Sequence, residues 1–371
     1  MGRNIASKSR VLALVLTATI ASSLLAACGG GAATEEGAEA ITDTTTDGMT
    51  TTTLPGKVWP LTGLPLAEAD ELMSLRHALV AKIDAHPLAN PQTGLQAADI
   101  VFEENVERLT RFAAILHSKG SDPIGPLRSG RTQDIDILGA YNKPLFVWSG
   151  GNVRVTKAVN NSDLVNIGHS ASHGKGGYYR EKSRKAPHNL YAKTTDLWKL
   201  APEGSGPPPA QFVYRGASDA MPATAAPAAG AKVSMDNMKV YWQWDPSTSS
   251  YIRFVEDLKR VSQPHMDTDG TQINASNVVV LYVEYKRSKA DRKSPEAQTI
   301  GKGLMAVHTN GVWIGGTWER KDRTQPFTLK DTAGAVVRLT PGRTWVELAR
   351  NYSQAIVPVG VDPKKVAWPK L

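Results

Sequence analysis

The N-terminus carries an export signal that ends at the only cysteine of the chain. A basic segment precedes an apolar run over residues 11–25, and Leu-Ala-Ala then leads into Cys28 and three glycines. Basic, apolar and small residues in this order are typical of a secretory signal peptide. The alternative, an uncleaved membrane helix, is disfavoured because the apolar run is shorter than the ~20 residues that a span needs. The sequence therefore predicts a signal peptide over residues 1–27 and lipidation of Cys28.

Lipidation predicts both a location and a restriction on the fold. We expect a bacterial lipoprotein on the extracytoplasmic face of a membrane, held there by its N-terminal lipid. With Cys28 lipidated, no thiol remains for disulfides, thiolate metal sites, iron–sulfur clusters or cysteine catalysis. Removing residues 1–27 from the 371 of the chain leaves 344. At about 100 to 200 residues per domain, that length predicts two domains.

The charge of the mature chain predicts the kind of partner. The signal takes three of the 43 lysines and arginines and none of the 35 acids, so the mature chain carries 40 against 35 and a net charge of +5. Outside a cytoplasm this bias favours anionic lipid head groups or wall polymers over nucleic acid. The sequence predicts no cofactor.

Composition divides the mature chain into segments. Residues 28–57 hold too little apolar surface to offset the cost of ordering them, and they predict a disordered tether. Residues 58–200 alternate short apolar runs with helix-like stretches, which is typical of an α/β domain. Residues 201–231 are dominated by Pro, Ala and Gly and predict a linker or long surface loop. Residues 232–350 predict a β-rich domain, and residues 351–371 form a C-terminal extension.

The predicted fold class is α+β or α/β, with an N-terminal α/β domain followed by a mostly antiparallel β domain. In the first domain we predict strands over 78–83, 99–106, 112–117, 145–148 and 164–167, and helices over 132–141 and 152–159. In the second we predict strands over 240–244, 251–255, 277–285, 304–308, 312–317 and 344–348. Asn310-Gly311 is a strong hairpin signal because both residue types tolerate positive φ.

The motif at residues 125–132 is the best candidate for chemistry. It follows a predicted strand and leads into a predicted helix, with Arg128 and Arg131 just before that helix. Free N–H groups at a helix start, together with two guanidinium groups, suit a phosphate or carboxylate. The alternative is that the arginines pair with nearby acids, since Asp134 and Asp136 lie in the first turn.

Three further motifs carry candidate functional residues. Gly150 and Gly151 allow a backbone nest for an anion, although a tight turn before a capped helix is the simpler interpretation. If residues 99–107 form a strand, Asp99 and Glu103 share a polar face that could supply a general base or metal ligands, or simply a solvated surface.

The segment 154–199 holds nine lysines and arginines against three acids. It includes His188 and Asn189, and we predict a basic loop that closes over an anionic ligand; the alternative is an ordinary surface loop. The spacing of His169 and His173 suits a metal on a helix, but the residues that follow are too glycine-rich for one, so no metal site is predicted.

Together these motifs resemble the YerB-like lipoprotein family, whose shared region is a domain of unknown function. The matching segments are 80–84, 98–103, 110–112, 125–131, 150–151, 186–191, 277–280, 316–318 and 341–345. The resemblance covers about residues 58–350 and implies an envelope location and a two-part architecture, but no activity. The chain departs from the family pattern at Arg108-Leu109, where the family has two glycines, and at Ala85, where it has asparagine. A pocket lined by these positions would differ here.

Three functional hypotheses remain open. In the first, the N-terminal domain binds an anionic, phosphate-bearing ligand of the cell surface through a set of residues comprising Arg111, Arg128, Arg131, Gly150, Gly151, His188 and Asn189. In the second, the protein is an enzyme of phosphoryl or glycopolymer transfer, loosely similar to the LytR-CpsA-Psr wall-polymer phosphotransferases, with Glu103 and Asp99 as catalytic residues. In the third, the β domain is a scaffold that offers exposed tryptophans to a protein partner.

Overall fold

The computed structural model describes residues 57–204, 206–257 and 259–369, which are mostly strands with short helices. The predicted signal peptide, Cys28 and the tether up to Gly56 lie outside the described residues. No helix within the described ranges is long and apolar enough to cross a membrane.

The elements are numbered in chain order. The first part of the chain contains α1 (Glu71–Ser74), β1 (Leu79–Asp84), β2 (Ile100–Val106), β3 (Leu109–Leu116), α2 (Gln133–Leu138), β4 (Leu145–Val147), α3 (Val153–Asn160), β5 (Val165–Asn166), β6 (Tyr179–Arg180), β7 (Leu190–Tyr191) and α4 (Thr194–Trp198). The second part contains β8 (Ala226–Pro227), β9 (Gly230–Met235), β10 (Met238–Asp245), β11 (Ser250–Glu256), β12 (Ser262–Pro264), β13 (Asn274–Ala275), β14 (Asn277–Tyr282), β15 (Tyr285–Arg287), β16 (Pro295–Ala297), β17 (Gly301–Thr309), β18 (Val312–Arg320), β19 (Thr328–Asp331), β20 (Thr344–Ala349) and β21 (Gln354–Val357). Short 3-10 turns occupy Glu68–Asp70, Pro87–Ala89, Gly139–Tyr141 and Pro363–Lys365.

The predicted fold class is confirmed. The first part contributes to a mixed sheet with α-helices between its strands, and the strands that follow are mostly antiparallel. Each strand predicted in the first domain is present, with shifted ends. The predicted helix 132–141 is shorter, because α2 ends at Leu138 and a 3-10 turn continues to Tyr141. Asn310 and Gly311 have φ of 47° and 73° and join β17 to β18, as the hairpin signal predicted.

One eleven-stranded sheet contains strands from both predicted domains. Its order is β19-β18-β17-β14-β20-β2-β3-β1-β4-β5, with β8 beside β18. The junction is the parallel pairing of β2 with β20, which places Ile100 opposite Thr344 and Glu103 opposite Glu347. The two predicted domains therefore differ in sequence composition, but their strands form one continuous sheet.

A second sheet covers one face of the large one. Its order is β12-β11-β10-β9-β21, with β13 also beside β11. Because strand side chains alternate between faces, Val101 and Ala114 of the large sheet face Val240 and Trp242 of the small one in a shared core. The opposite face packs a second core that includes Phe102 and residues of α2. The central strands β1, β2 and β20 of the large sheet are thus buried on both faces.

The segments predicted as linker and extension are both built into this arrangement. Residues 206–225 run as a long loop that buries Gln211 and Phe212, and Tyr214 donates a hydrogen bond to the carbonyl of Leu61, while β8 and the start of β9 occupy the end of the predicted linker. Within residues 351–371, β21 pairs with β9 at the edge of the second sheet. The tryptophans considered for a scaffold surface belong to the cores: Trp318 and Trp345 are buried, and Trp313 packs against the first core while partly exposed.

Strand β2 is buried along its whole length, so the solvated-face alternative for its acids is wrong. Glu103 lies on the face toward the second sheet, where Arg253 of β11 donates to its Oε2 at 2.6 Å and Thr110 donates to its Oε1 at 2.7 Å. Arg253 also donates to Nδ1 of His265 at 2.6 Å. Glu103 is therefore used in a buried ion pair that joins the two sheets.

A second buried ionic group lies on the other face of the large sheet. Lys82 of β1 contacts Glu104 of β2 and lies 2.7 Å from Oδ1 of Asp134 in α2, and all three side chains are fully buried. Burial, and then the nearby charge of Asp134, raises the pKa of Glu104 to about 7. Two carboxyl groups share one ammonium group, so one of the acids holds its proton more tightly.

This arrangement predicts a pH-dependent stability. The folded protein keeps a proton on Glu104 that the unfolded chain releases above its ordinary pKa of 4.5, so the free energy of unfolding falls as the pH rises from about 4.5 to about 7. Glu104→Gln resembles the protonated form and removes this dependence. We expect the variant to gain stability relative to the parent between pH 5.5 and pH 7.5, measured by urea unfolding.

The exposed Glu284 provides the matched control, since Glu284→Gln should shift stability equally at both pH values. An equal difference between Glu104→Gln and the parent at the two pH values would contradict the assignment.

Candidate functional site

Four sequence motifs meet at the carboxyl ends of the parallel strands β1 and β4. The amide of Arg128 donates to the carbonyl of Lys82 at 2.8 Å, and the amide of Ser149 donates to the carbonyl of Arg128 at 3.0 Å. The amide of Leu127 donates to the carbonyl of Leu190 at 2.6 Å. The arginine motif is thus fixed between β1, the Gly150-Gly151 turn and the His188-Asn189 segment. In sheets with parallel strands this is the end where ligands commonly bind.

The centre of the meeting point is the carboxylate of Asp84, the last residue of β1. Its Oδ2 lies 3.0 Å from Nε of Arg128 and 2.6 Å from Nδ1 of His188. Its Oδ1 accepts a hydrogen bond from the amide of His86 at 3.0 Å. The rings of His86 and His188 stack with their centroids 4.6 Å apart. We call these residues, together with Arg111 of β3, the Asp84 cluster: Asp84, His86, Arg111, Arg128 and His188.

Arg111 is the least compensated charge of the cluster. It lies opposite Asp84 in the β1–β3 register, is only 6% exposed and donates to the carbonyl of Ser129 at 2.6 Å. None of the carboxylates in the described residues lies within ion-pair distance of its guanidinium group. Burial, followed by repulsion from Arg131 and Arg128, lowers the pKa of Arg111 to about 10. A buried cation without an acid partner is costly unless an anion joins it.

The orientation of His188 is fixed by Asp84. Because a carboxylate only accepts hydrogen bonds, Nδ1 of His188 carries the hydrogen, and Nε2 is left for another partner. Nε2 has no hydrogen-bond partner among the described residues, and the side chain is 12% exposed. The Arg128 side chain is 23% exposed. The cluster is therefore partly open to solvent at the atoms that could contact a ligand.

The basic loop beside the cluster is held by its own charged residues. Arg184 donates to the carbonyls of Ala89 and Pro91 at 2.8 and 2.7 Å, which ties the loop to the turn after His86. Asn189 is buried, accepts from Arg180 at 2.8 Å and donates to the carbonyl of Arg184 at 3.2 Å. The side-chain amide of Asn189 thus holds the loop that positions His188.

Arg131 does not share the environment of Arg128. Its guanidinium contacts Glu107 at 2.7 Å and Ser294 at 2.6 Å, and its backbone amide donates to Oδ2 of Asp134 at 2.7 Å. The arginine motif allows either an anion site or pairing of the arginines with acids of the protein. Arg131 is paired with an acid, Glu107. At the start of α2 the amides of Asp134 and Ile135 donate to the carbonyls of Arg131 and Thr132, so these amides are not free for an anion beside the arginines.

The remaining predicted site residues lie elsewhere. Glu103 projects from the face of the sheet opposite to Arg111, since Glu104 is the residue in register with Arg111. Asp99 precedes β2, at the opposite end of the sheet from Asp84, and its carboxylate accepts from the amides of His117 and Ser118 at 2.6 and 2.8 Å. Both acids have structural partners, and neither belongs to the Asp84 cluster.

The glycine pair lines a separate cavity. Gly150, Gly151 and His169 border a volume of about 380 Å³. The side chain of Asn152 accepts from the amide of Val155 at 2.9 Å, which is the capped turn that we preferred over a nest. Within the described ranges no group of three or more His, Cys, Asp and Glu side chains is arranged to hold a metal.

Sequence reasoning missed the acid at the centre of the cluster. Asp84 belongs to segment 80–84, which matches the family, and His86 lies two residues after it, but neither residue has a role predicted from the sequence. The available signal was an aspartate at the end of a buried strand, where polar side chains reach the edge of a sheet. Nothing in the sequence indicated that His188, 104 positions later, would bond to it.

The comparisons with known proteins agree with this architecture. Two family models match the chain, the N-terminal domain of a protein of unknown function (DUF3048) over residues 61–207 and its C-terminal domain over residues 231–346. "Putative lipoprotein YerB" of Bacillus subtilis (strain 168) is 26% identical over 310 residues, which cover 81% of this chain and 88% of that protein. The crystal structure of YerB from Bacillus subtilis matches with a TM-score of 0.67 at 21% identity, covering 81% of this chain and 99% of that one. The predicted resemblance is confirmed.

The contacts of Arg184 predict a local effect on the loop. Arg184→Ala removes two hydrogen bonds to the turn after His86, so we expect faster amide hydrogen exchange over residues 182–189 with little change in global unfolding. Lys185→Ala, at the exposed neighbouring position, is the control. Unchanged exchange in the Arg184 variant would show that the loop is held by other contacts.

Proposed function

We propose that this chain, which belongs to the DUF3048 family of proteins of unknown function, is an envelope lipoprotein that binds a phosphate-bearing anion at the Asp84 cluster. The observation that carries the proposal is the buried guanidinium of Arg111, which has no carboxylate partner among the described residues. Arg128 lies beside it, and its attachment to Asp84 leaves part of its side chain exposed.

The charge of the cluster supports an anionic ligand. Two arginines and two histidines surround a single carboxylate, which is already shared between Arg128 and His188. Guanidinium groups present parallel N–H donors that match the oxygens of a phosphate, and such charge-assisted hydrogen bonds are stronger in a partly buried site. A phosphate would add the negative charge that the cluster lacks. The mildly basic mature chain agrees with a ligand of this sign.

The location of the protein is the second part of the proposal. In this proposal Cys28 follows a signal peptide and carries a lipid anchor on the extracytoplasmic face of a bacterial membrane, where phosphate occurs in lipid head groups and in wall polymers. The name of the related "Putative lipoprotein YerB" also describes that protein as a lipoprotein. The ligand of the Asp84 cluster would then be a phosphate group of the cell surface.

Removing either arginine of the cluster should weaken phosphate binding. A charge-assisted hydrogen bond contributes about 1.5–3 kcal/mol, so Arg111→Met or Arg128→Met should raise the Kd for inorganic phosphate at least about tenfold. Thermal stabilisation and calorimetric titration of the mature protein measure this change. Arg131→Met should keep phosphate binding, because Arg131 is already paired with Glu107.

The exposed Arg154 offers a control for the general effect of charge, as Arg154→Met should leave the Kd unchanged. Parallel titrations with a glycerol phosphate polymer and with phosphatidylglycerol vesicles distinguish a wall polymer from a lipid head group. Phosphate stabilisation that is equal in the parent and the Arg111 and Arg128 variants would sink the proposal.

The anchor makes a separate prediction. Cys28→Ala removes the thiol needed for lipidation, so the variant should move from the detergent phase to the aqueous phase and lack the mass of the lipid. Ala26→Gly keeps a small residue at the cleavage site and should remain lipidated. Protease added to intact cells or spheroplasts should degrade the anchored parent if it faces outward. A parent protein whose mass shows no lipid at Cys28 would refute lipid anchoring.

A further inference from the structure

We infer that the Asp84 cluster also hydrolyses a phosphate ester, with Nε2 of His188 as the general base and Asp84 as its positioning residue. This inference rests on the proposed binding of phosphate at the same cluster. It moves the catalytic assignment away from Glu103 and Asp99, whose carboxylates are used in buried structural contacts.

The pairing of Asp84 with His188 is the arrangement that a general base requires. The carboxylate bonds Nδ1 of His188 at 2.6 Å, so it fixes the ring and its tautomer and stabilises the imidazolium formed when Nε2 accepts a proton. Nε2 is the atom without a hydrogen-bond partner among the described residues. A histidine that served only the fold would have little need of an accessible Nε2 beside two arginines.

The arginines place the other reactant. Oδ2 of Asp84 contacts both Arg128 and His188, so a phosphate held by Arg128 and Arg111 lies next to the imidazole ring. Guanidinium groups beside the phosphate also stabilise the charge that its oxygens carry in the transition state. The carboxylate of Asp84 therefore positions both Arg128, which binds the phosphate, and His188, which acts as the base.

A cavity borders the turn that directly follows His86 and offers space for the organic part of an ester. Its lining is mixed, with Asp257, Lys259 and Gln263 beside apolar side chains. Pro87, directly after His86, lines a volume of about 510 Å³ together with Pro91, Val255 and Pro264. His265 also lines this cavity, and its Nε2 bonds Gln92, whose own amide donates to the carbonyl of Asp84 at 2.8 Å. Free phosphate would leave this space unused, whereas an ester with a lipid-like or aromatic group would fill it.

The reaction balances with water as the only co-reactant. The oxygen of water forms a bond to phosphorus while its proton passes to Nε2 of His188. The bond between phosphorus and the alcohol oxygen breaks, and that oxygen leaves with the electron pair and takes a proton from solvent. The imidazolium then returns its proton to solvent. A monoester gives inorganic phosphate and an alcohol.

The test measures binding and turnover separately on the same full-length lipoprotein in detergent. The probes are inorganic phosphate for binding, and p-nitrophenyl phosphate and bis(p-nitrophenyl) phosphate for turnover, because their leaving group needs no acid. We expect the parent to release p-nitrophenol from at least one ester. His188→Asn should lower kcat by about 10²- to 10⁴-fold while the Kd for phosphate changes by less than about threefold.

Asp84→Asn gives a readout that a structural role would not. It removes the negative charge that competes for Arg128, so phosphate should bind at least as tightly as in the parent while kcat falls. His173→Asn, at an exposed histidine outside the cluster, should leave both quantities unchanged. A drop in phosphate binding and kcat together in Asp84→Asn would instead indicate loss of structure and would overturn the positioning role.

Two results would overturn the inference itself. The first is a parent that binds phosphate and releases p-nitrophenol from neither ester. The second is turnover that His188→Asn retains. A parent that binds no phosphate would instead refute the proposed function, so the two failures are distinguishable.

Discussion

The parallel pairing of β2 with β20 is the constraint on which the rest of the structure depends. It joins strands almost 250 positions apart in sequence into one sheet, and it places the carboxyl groups of Glu103 and Glu347 opposite each other. Burial, with the adjacent Glu103, raises the pKa of Glu347 well above its ordinary value. Arg253, from the second sheet, pairs with Glu103, so this buried arginine stabilises the junction and the packing of both sheets.

Buried polar residues on both faces of the large sheet hold the backbone next to the Asp84 cluster. On one face of the sheet, Lys82 holds Glu104 and Asp134, and Asp134 in turn accepts from the amide of Arg131. On the other side, hydrogen bonds run from Arg253 through His265 and Gln92 to the carbonyl of Asp84. Burial, and then Arg253, lowers the pKa of His265 well below its ordinary value, so this link stays neutral. The partly exposed cluster therefore rests on buried ion pairs and hydrogen bonds on both faces of the sheet.

Local patterns predicted much of the fold and part of the site. Strand alternation and the Asn310-Gly311 hairpin depend on neighbours in sequence, and these predictions agree with the structure. The role of individual charges did not follow from pattern. Arg128 and Arg131 are three residues apart in one motif, yet Arg128 forms an ion pair with Asp84 at the cluster and Arg131 forms one with Glu107. Their difference comes from which distant side chains the sheet brings near each of them.

The sequence by itself determined most strands and the Asn310-Gly311 hairpin, because each depends on a short run of residues, and in the same way it predicts the export signal and the lipidation of Cys28. Only the tertiary structure decided that both halves share a sheet and that Asp84, Arg111, Arg128 and His188 meet. The physical reason is that electrostatic partners are chosen by distance in space. Glu103 and Asp84 are both buried acids and look alike in sequence, until the fold places Arg253 beside the first and Arg128 and His188 beside the second.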